Sequence, residues 1–320
     1  MFPFESSDLS GYSLCMVKQT KPLIADLALV LVAFFWGTTF TVVKQALQDI
    51  LPFGFLFLRF SLATLIIIPM IWSTGRFRSL PWKPGILAGA FLTLGYTAQT
   101  VGLQYTTASK SAFITGLAVV MVPIFVAVFE QKWLSKRSVI AVVIAVIGLY
   151  LLTSPGTRAF NRGDAWTVLC AVGFALHVVV LDYYTRRVDY FGLFFLQIAV
   201  VAFLSGAIIP FEGAPGFSLS GQLTGNAIFG IVVTAVFATA IAFFLQNWAQ
   251  QTTTATRTAL IFTLEPVFAA LTAYVVLTER LGLYGILGGV LILTAIILAE
   301  LGSTQVRAAD NPSRKDETET

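Results

Sequence analysis

Charge is scarce in this chain. Only 11% of its 320 residues are Asp, Glu, Lys or Arg, against about 25% in a soluble domain. Hydrophobic residues make up 57%, and the mean hydropathy is +0.84, which excludes a soluble globular protein. Cysteine and histidine are scarcer still. Cys15 lies in a polar tail and Cys170 in a distant apolar segment, so neither a disulfide framework nor a cysteine metal site is expected. The single histidine, His177, has no second ligand at i+3 or i+4, which argues against a metal centre. There is no Gly-x-x-x-x-Gly-Lys-Ser/Thr loop and no polar stretch large enough for an ATPase domain. A His-Glu-x-x-His helix is missing as well, and His177 has no companion that would make a hydrolytic pair. An intramembrane enzyme is therefore disfavoured, and nothing calls for a cofactor. The net charge of +4 comes from loop lysines and arginines. It reads as membrane topology, with no nucleic-acid partner.

What the chain has is long apolar runs, each near the roughly 20 residues that cross a bilayer. Ten are expected, near 24–44, 53–73, 84–104, 108–130, 138–153, 165–183, 191–210, 223–246, 255–277 and 282–302. The stretch from Gly85 to Phe129 is about twice one span and must turn. Gln104 to Lys110 is the polar interruption that can hold the turn. Residues 1–22 are polar, with no apolar core of a signal peptide before Ile24. The tail 303–320 is polar and charged.

The runs are one unit written twice. An offset of 147 carries Ala108-Ser109-Lys110-Ser111-Ala112 onto Ala255-Thr256-Arg257-Thr258-Ala259, Gln99 onto Gln246 and Leu134 onto Leu281. An offset of 138 carries Gly54 onto Gly192, Arg59 onto Gln197 and Trp36 onto Phe174. The nine-residue change of offset fits a longer loop between Pro210 and Gly225. The expected domains are a cytoplasmic tail 1–22, a first five-helix repeat 23–154, a second 163–302 and a cytoplasmic tail 303–320. Fourteen loop and tail cations fall on one side of such a ten-span chain and five on the other, which puts both termini in the cytoplasm. Five spans per copy is an odd number, so the second copy enters from the opposite side. The fold expected is an all-α integral membrane protein of ten transmembrane helices in two inverted repeats.

Several stretches then resemble the EamA-type members of the drug/metabolite transporter superfamily. They are FFWGTTFTVVKQAL (Phe34 to Leu47), FLFLRFSLATLII (Phe55 to Ile67), GYTAQTVGLQYTTASKSAFITGL (Gly95 to Leu117), FATAIAFFLQNWAQ (Phe237 to Gln250) and ATRTALIFTLEPVFAALTAYVVLTERL (Ala255 to Leu281). The resemblance covers roughly Leu23 to Leu301. It implies export or uptake of small metabolites across the cell inner (plasma) membrane by a monomer or homodimer. It also implies a central cavity lined by the first, third and fourth helices of each repeat. The chain departs from the pattern where Lys132 stands in place of Glu279 of the second copy.

Seven residues are expected to form the substrate site. Trp36 and Thr39 share one face of the first helix, and Tyr96 and Gln99 repeat that spacing on the third. His177 takes the place of Thr39 in the second copy, while Phe243 and Gln246 take those of Tyr96 and Gln99. An amide at membrane depth is costly without a partner, so both glutamines should face the bundle interior. The rival role for them is to bond neighbouring helices. Four charged residues are candidates for gating or coupling. Lys110 and Arg257 stand at equivalent helix starts, where a cation can close a gate or simply reach the interface. Arg59 lies deep in the second span and needs a partner, with backbone carbonyls, Asp49 or a bound anion as candidates. Glu265 is the acid deepest in any span; it can carry a proton or bond the backbone that Pro266 frees.

Together these features point to a secondary transporter of small polar or amphiphilic metabolites, such as amino acids. Its partners would be a soluble small molecule and the lipid bilayer. A lipid flippase or a membrane scaffold without transport are the rivals from other classes. Gly85-xxx-Gly89 and Gly285-xxx-Gly289 read as packing within the chain rather than as a dimer seam.

Overall fold

The computed structural model describes residues 22–129, 136–152, 160–211, 223–253, 258, 261–262 and 264–310. Among these residues there are helices and no strands. Hydrophobic length decides where each helix lies. The helices are α1 (Pro22–Ala46), α2 (Pro52–Ser73), α3 (Trp82–Leu103), α4 (Ala108–Phe129) and α5 (Lys136–Leu152). They continue with α6 (Arg162–Tyr184), α7 (Tyr190–Ile208), α8 (Gly225–Ala249), α9 (Leu264–Leu277) and α10 (Leu283–Asp310). Seven of them, α1 to α4 and α6 to α8, are long and apolar enough to cross a membrane. Val139–Leu152, Leu264–Leu277 and Leu283–Ala295 are shorter apolar helices. The turn between α3 and α4 falls inside Gln104 to Thr107, within the expected polar interruption.

Side chains at the helix ends satisfy backbone donors that the helices leave open. Asn161 and Asp164 form a capping box on α6. Thr224 caps α8 and donates to Asp49 at 2.6 Å. Asp189 caps α7 and pairs with Arg76 at 2.8 Å. Glu279, beyond the end of α9, accepts from the backbone nitrogens of Ala108 and Ser109, at 3.0 and 3.1 Å, and from the Ser109 hydroxyl at 2.8 Å. A carboxylate at a helix N-terminus is favoured by the helix dipole as well as by these bonds.

These contacts sort the helix ends into two rims. At one rim Lys44 Nζ donates to the carbonyls of Leu103 and Thr106, at 2.5 and 2.7 Å. The same rim holds Asp49 with Thr224, Lys110 with Asp164, and Glu279 with the start of α4. At the other rim Arg76 meets Asp189, and Arg186 donates to the Thr253 carbonyl at 2.7 Å.

Helices pair across the two halves of the chain. The α1 helix packs on α8 and α9, and α6 on α3 and α4; α2 lies against α7, and α5 against α10. Glycine allows the closest approaches. A Cβ on Gly37 would stand 2.6 Å from the Glu265 carbonyl oxygen on α9. One on Gly148 would stand 2.9 Å from the Gly288 carbonyl oxygen, and one on Gly288 only 2.6 Å from that of Gly148. Small residues let membrane helices approach closely in this way. Gly89 faces Val200 of α7 and Gly289 faces Phe113 of α4, both within the same chain. Outward-facing Leu65, Trp72, Phe203 and Val275 remain exposed, as side chains do that have lipid for solvent.

Candidate functional site

A cavity of about 830 Å³, counting its opening, lies between the two halves. Trp36 and Thr39 reach it from α1, Tyr96 and Gln99 from α3, His177 from α6, and Phe243 and Gln246 from α8. All seven expected substrate-site residues therefore meet at one place. Glu265 and Phe262 line it from the fourth helix of the second half, and Thr115 and Val119 from α4. The expected lining by first, third and fourth helices is incomplete in one respect: Arg59 enters from α2.

Aromatic rings form part of the walls. Trp36 packs on Phe243 and Phe262, with ring centres 5.3 and 5.0 Å apart. Tyr96 meets Phe60, Phe174 and Phe243 edge to face at 5.0, 5.1 and 6.1 Å. Residues 234–241 of α8 wind as a π-helix, a local widening that is frequent at functional sites. Its Ala238 carbonyl accepts from Trp36 Nε1 at 2.9 Å. That bond anchors the indole and holds α1 against α8.

The two glutamines behave alike. Gln99 is half-buried and forms no side-chain hydrogen bond among the described residues. Gln246 is buried, and its Oε1 has no hydrogen-bond partner among the described residues. Neither amide bonds a neighbouring helix, which is what a purely structural role would require. The Thr39 hydroxyl donates to the Trp36 carbonyl at 2.9 Å and keeps its oxygen as an acceptor.

His177 belongs to a polar chain whose direction is fixed. The Phe243 carbonyl can only accept, so it takes the Asn247 Nδ2 donor at 2.8 Å. Asn247 Oδ1 then accepts from Gln197 Nε2 at 3.2 Å, which leaves Gln197 Oε1 to accept from His177 Nε2 at 2.6 Å. His177 thus carries a proton on Nε2. All three side chains are buried. Nothing in the sequence around Gln197 or Asn247 announces this network.

The four charged candidates separate. Arg59 is 3% exposed; its Nε donates to Thr239 Oγ1 at 2.8 Å. Its Nη2 donates to the Tyr96 hydroxyl at 3.3 Å and the Ala238 carbonyl at 3.4 Å. Asp49, one of its expected partners, bonds Thr224 instead. Glu265 is half-buried at the cavity and makes no hydrogen bond or ion pair among the described residues. Its carboxyl group does not bond the backbone near Pro266. Lys110 lies apart from the cavity. It is 3% exposed, and Nζ pairs with Asp164 Oδ2 at 2.8 Å, so it does not reach the interface as an exposed end-marker. Asp164 also accepts from Thr106 Oγ1 at 2.5 Å and from the Asn161 nitrogen at 3.0 Å. Its role was readable only as the fourth residue of the Asn161-Arg-Gly-Asp164 capping box. Arg257 lies outside the described residues, as does Lys132.

The sequence profile of the EamA-like transporter family matches this chain at residues 23–154 and again at 161–301. An uncharacterized transporter of Archaeoglobus fulgidus is 37% identical over 304 residues, covering 93% of this chain and 94% of that protein. An S-adenosylmethionine uptake transporter of Rickettsia prowazekii is 24% identical over 252 residues, covering 75% and 80%. A crystal structure at 17% identity shares the fold with a TM-score of 0.66, over 89% of this chain and 99% of that one. Two family matches, one in each half of the chain, set beside the apolar helices and the cavity between them, make this multi-pass membrane protein a member of the EamA-like transporter family, within the drug/metabolite transporter superfamily.

Proposed function

We propose that this protein is a secondary active transporter of small polar or amphiphilic metabolites, such as amino acids or related compounds, working by alternating access. The observation that carries this reading is the meeting of side chains from both halves on one aromatic-lined cavity with few polar groups, the usual make-up of a small-molecule site. The name of the Rickettsia relative, an S-adenosylmethionine uptake transporter, fits a solute of this class. On this reading the ten helices span the inner (plasma) membrane as two inverted five-helix repeats. The two rims support that arrangement, because the contacts between helix ends described above join ends assigned to the same side. The cross-packing of first helices on third and fourth ones supports it too. Both termini are then cytoplasmic. Lys110 with Asp164, and Glu279 with the start of α4, form the outer closure that opens when one half rocks against the other. Glu265, at the cavity wall, is the proton carrier if transport is coupled to protons.

Two experiments test this. Metabolites are compared inside and outside cells that overproduce or lack the protein. A solute shifting in opposite senses in the two strains is the expected result, and unchanged pools with full expression oppose transport. For topology, Cys15 and Cys170 are replaced and a single cysteine is placed at exposed Gly225 or Ser79. The first should react with an impermeant reagent from outside and the second only after lysis; the reverse pattern rejects the orientation.

A further inference from the structure

We propose that the cavity selects solutes carrying one carboxylate, and that Arg59 is the group that reads it. This rests on the transport reading only in taking the cavity as the solute site. Arg59 is buried and lines the cavity, yet the groups it meets are neutral: a threonine hydroxyl, a tyrosine hydroxyl and a backbone carbonyl. No carboxylate lies within ion-pair distance of it among the described residues, and Nη1 has no hydrogen-bond partner there. The cavity's other ionisable groups do not balance it. Glu265 is not within ion-pair distance, Tyr96 is already its hydrogen-bond partner, and His177 donates to Gln197 and carries no negative charge. A permanently charged guanidinium that is buried with no acid within ion-pair distance is costly. An incoming anion would offset that cost.

The shape of the site favours a carboxylate. Nε and Nη2 are occupied by Thr239, Tyr96 and Ala238, which hold the guanidinium plane; the Phe60 and Tyr96 rings lie 5.1 and 4.7 Å from its centre. A planar group held in this way presents directed donors, and a carboxylate has the matching planar acceptors. One guanidinium matches one negative charge. A dianionic phosphate would leave one of its charges unmatched. The second half shows that the fold does not require a cation here, since Gln197 fills the corresponding position and spends its amide on His177 and Asn247.

The test compares the full chain in nanodiscs with three probes of one apolar body: 3-phenylpropionate, 3-phenylpropanol and 3-phenylpropylamine. The carboxylate should bind the wild type at least tenfold more tightly than the alcohol, about 1.4 kcal/mol. Arg59→Gln, which copies the second half, should remove that ratio, and Arg59→Lys should keep part of it. If Arg59→Gln does not fold, the wild-type ratio and Arg59→Lys decide. Equal binding of acid and alcohol, preference for the amine, tighter binding of 2-phenylethyl phosphate, an unchanged ratio in Arg59→Gln, or no binding of any probe each overturns the assignment. Proteoliposome uptake separates this from the broader reading. Carboxylate preference without translocation leaves Arg59 as the anion reader and removes transport; translocation without the preference does the reverse.

Discussion

Lys110 and Arg59 are both buried cations on helices of the first half, and the protein treats them differently. Lys110 is met by Asp164, which is itself held by Thr106 and the Asn161 backbone, next to a helix start capped by Glu279. Arg59 is met by neutral groups at a cavity wall. A charge whose partner is built into the fold contributes to architecture. A charge held in place without one is ready for a ligand. Gln197, at the Arg59 position of the second half, is the internal control, because there the same backbone site carries a neutral and fully engaged side chain.

The comparison breaks most readily at Lys110. Lys110→Ala leaves Asp164 buried and uncompensated, and should cost about 3–5 kcal/mol of stability, read as a fall in melting temperature or in folded yield. The double change Lys110→Met with Asp164→Leu should recover a large part of that loss. A single variant that melts like the wild type would mean that the pair contributes nothing to the fold. Gln197→Leu comes next. It strands the His177 and Asn247 groups that Gln197 satisfies, for roughly 1–3 kcal/mol, and its signature is early melting. Loss of solute binding without early melting would place Gln197 in the site instead of the scaffold.

Gln99→Leu and Gln246→Leu sharpen the same contrast from the cavity side. Neither amide oxygen nor nitrogen bonds a neighbouring helix, so stability should change little. Solute affinity should fall about tenfold, near 1.4 kcal/mol. Normal binding with early melting would return both glutamines to a structural role. The smallest effect is expected from Trp36→Phe. It removes the Nε1 bond to the Ala238 carbonyl but leaves that carbonyl with Arg59, so the loss should be about 0.5–1 kcal/mol. A much larger loss would mean that the indole, not the guanidinium, holds the π-wound segment of α8.

Much of this was legible in the sequence. Hydrophobic length placed the helices, and the 138 and 147 offsets named seven residues that share one cavity, because a repeat carries a position in one half to its counterpart in the other. What was illegible was pairing at long range. Thr239 and Ala238 are some 180 residues from Arg59, and Glu279 is 171 from the Ala108 nitrogen it caps. No periodicity encodes such contacts, which depend on how helices lean together. The π-wound stretch left no mark either, since TAVFATAI is ordinary apolar sequence. Asp164 sat in plain view within a capping box, but its second role, answering Lys110, required the ends of α4 and α6 to meet.

Gly148 and Gly288 have a consequence for how this chain can change over generations. Each supplies the room that the other's backbone needs, so a methyl group at either position strikes the opposite carbonyl. A substitution at one cannot be rescued by changing the other, because each clash is with backbone. A lineage that loses either glycine must re-space the α5–α10 seam.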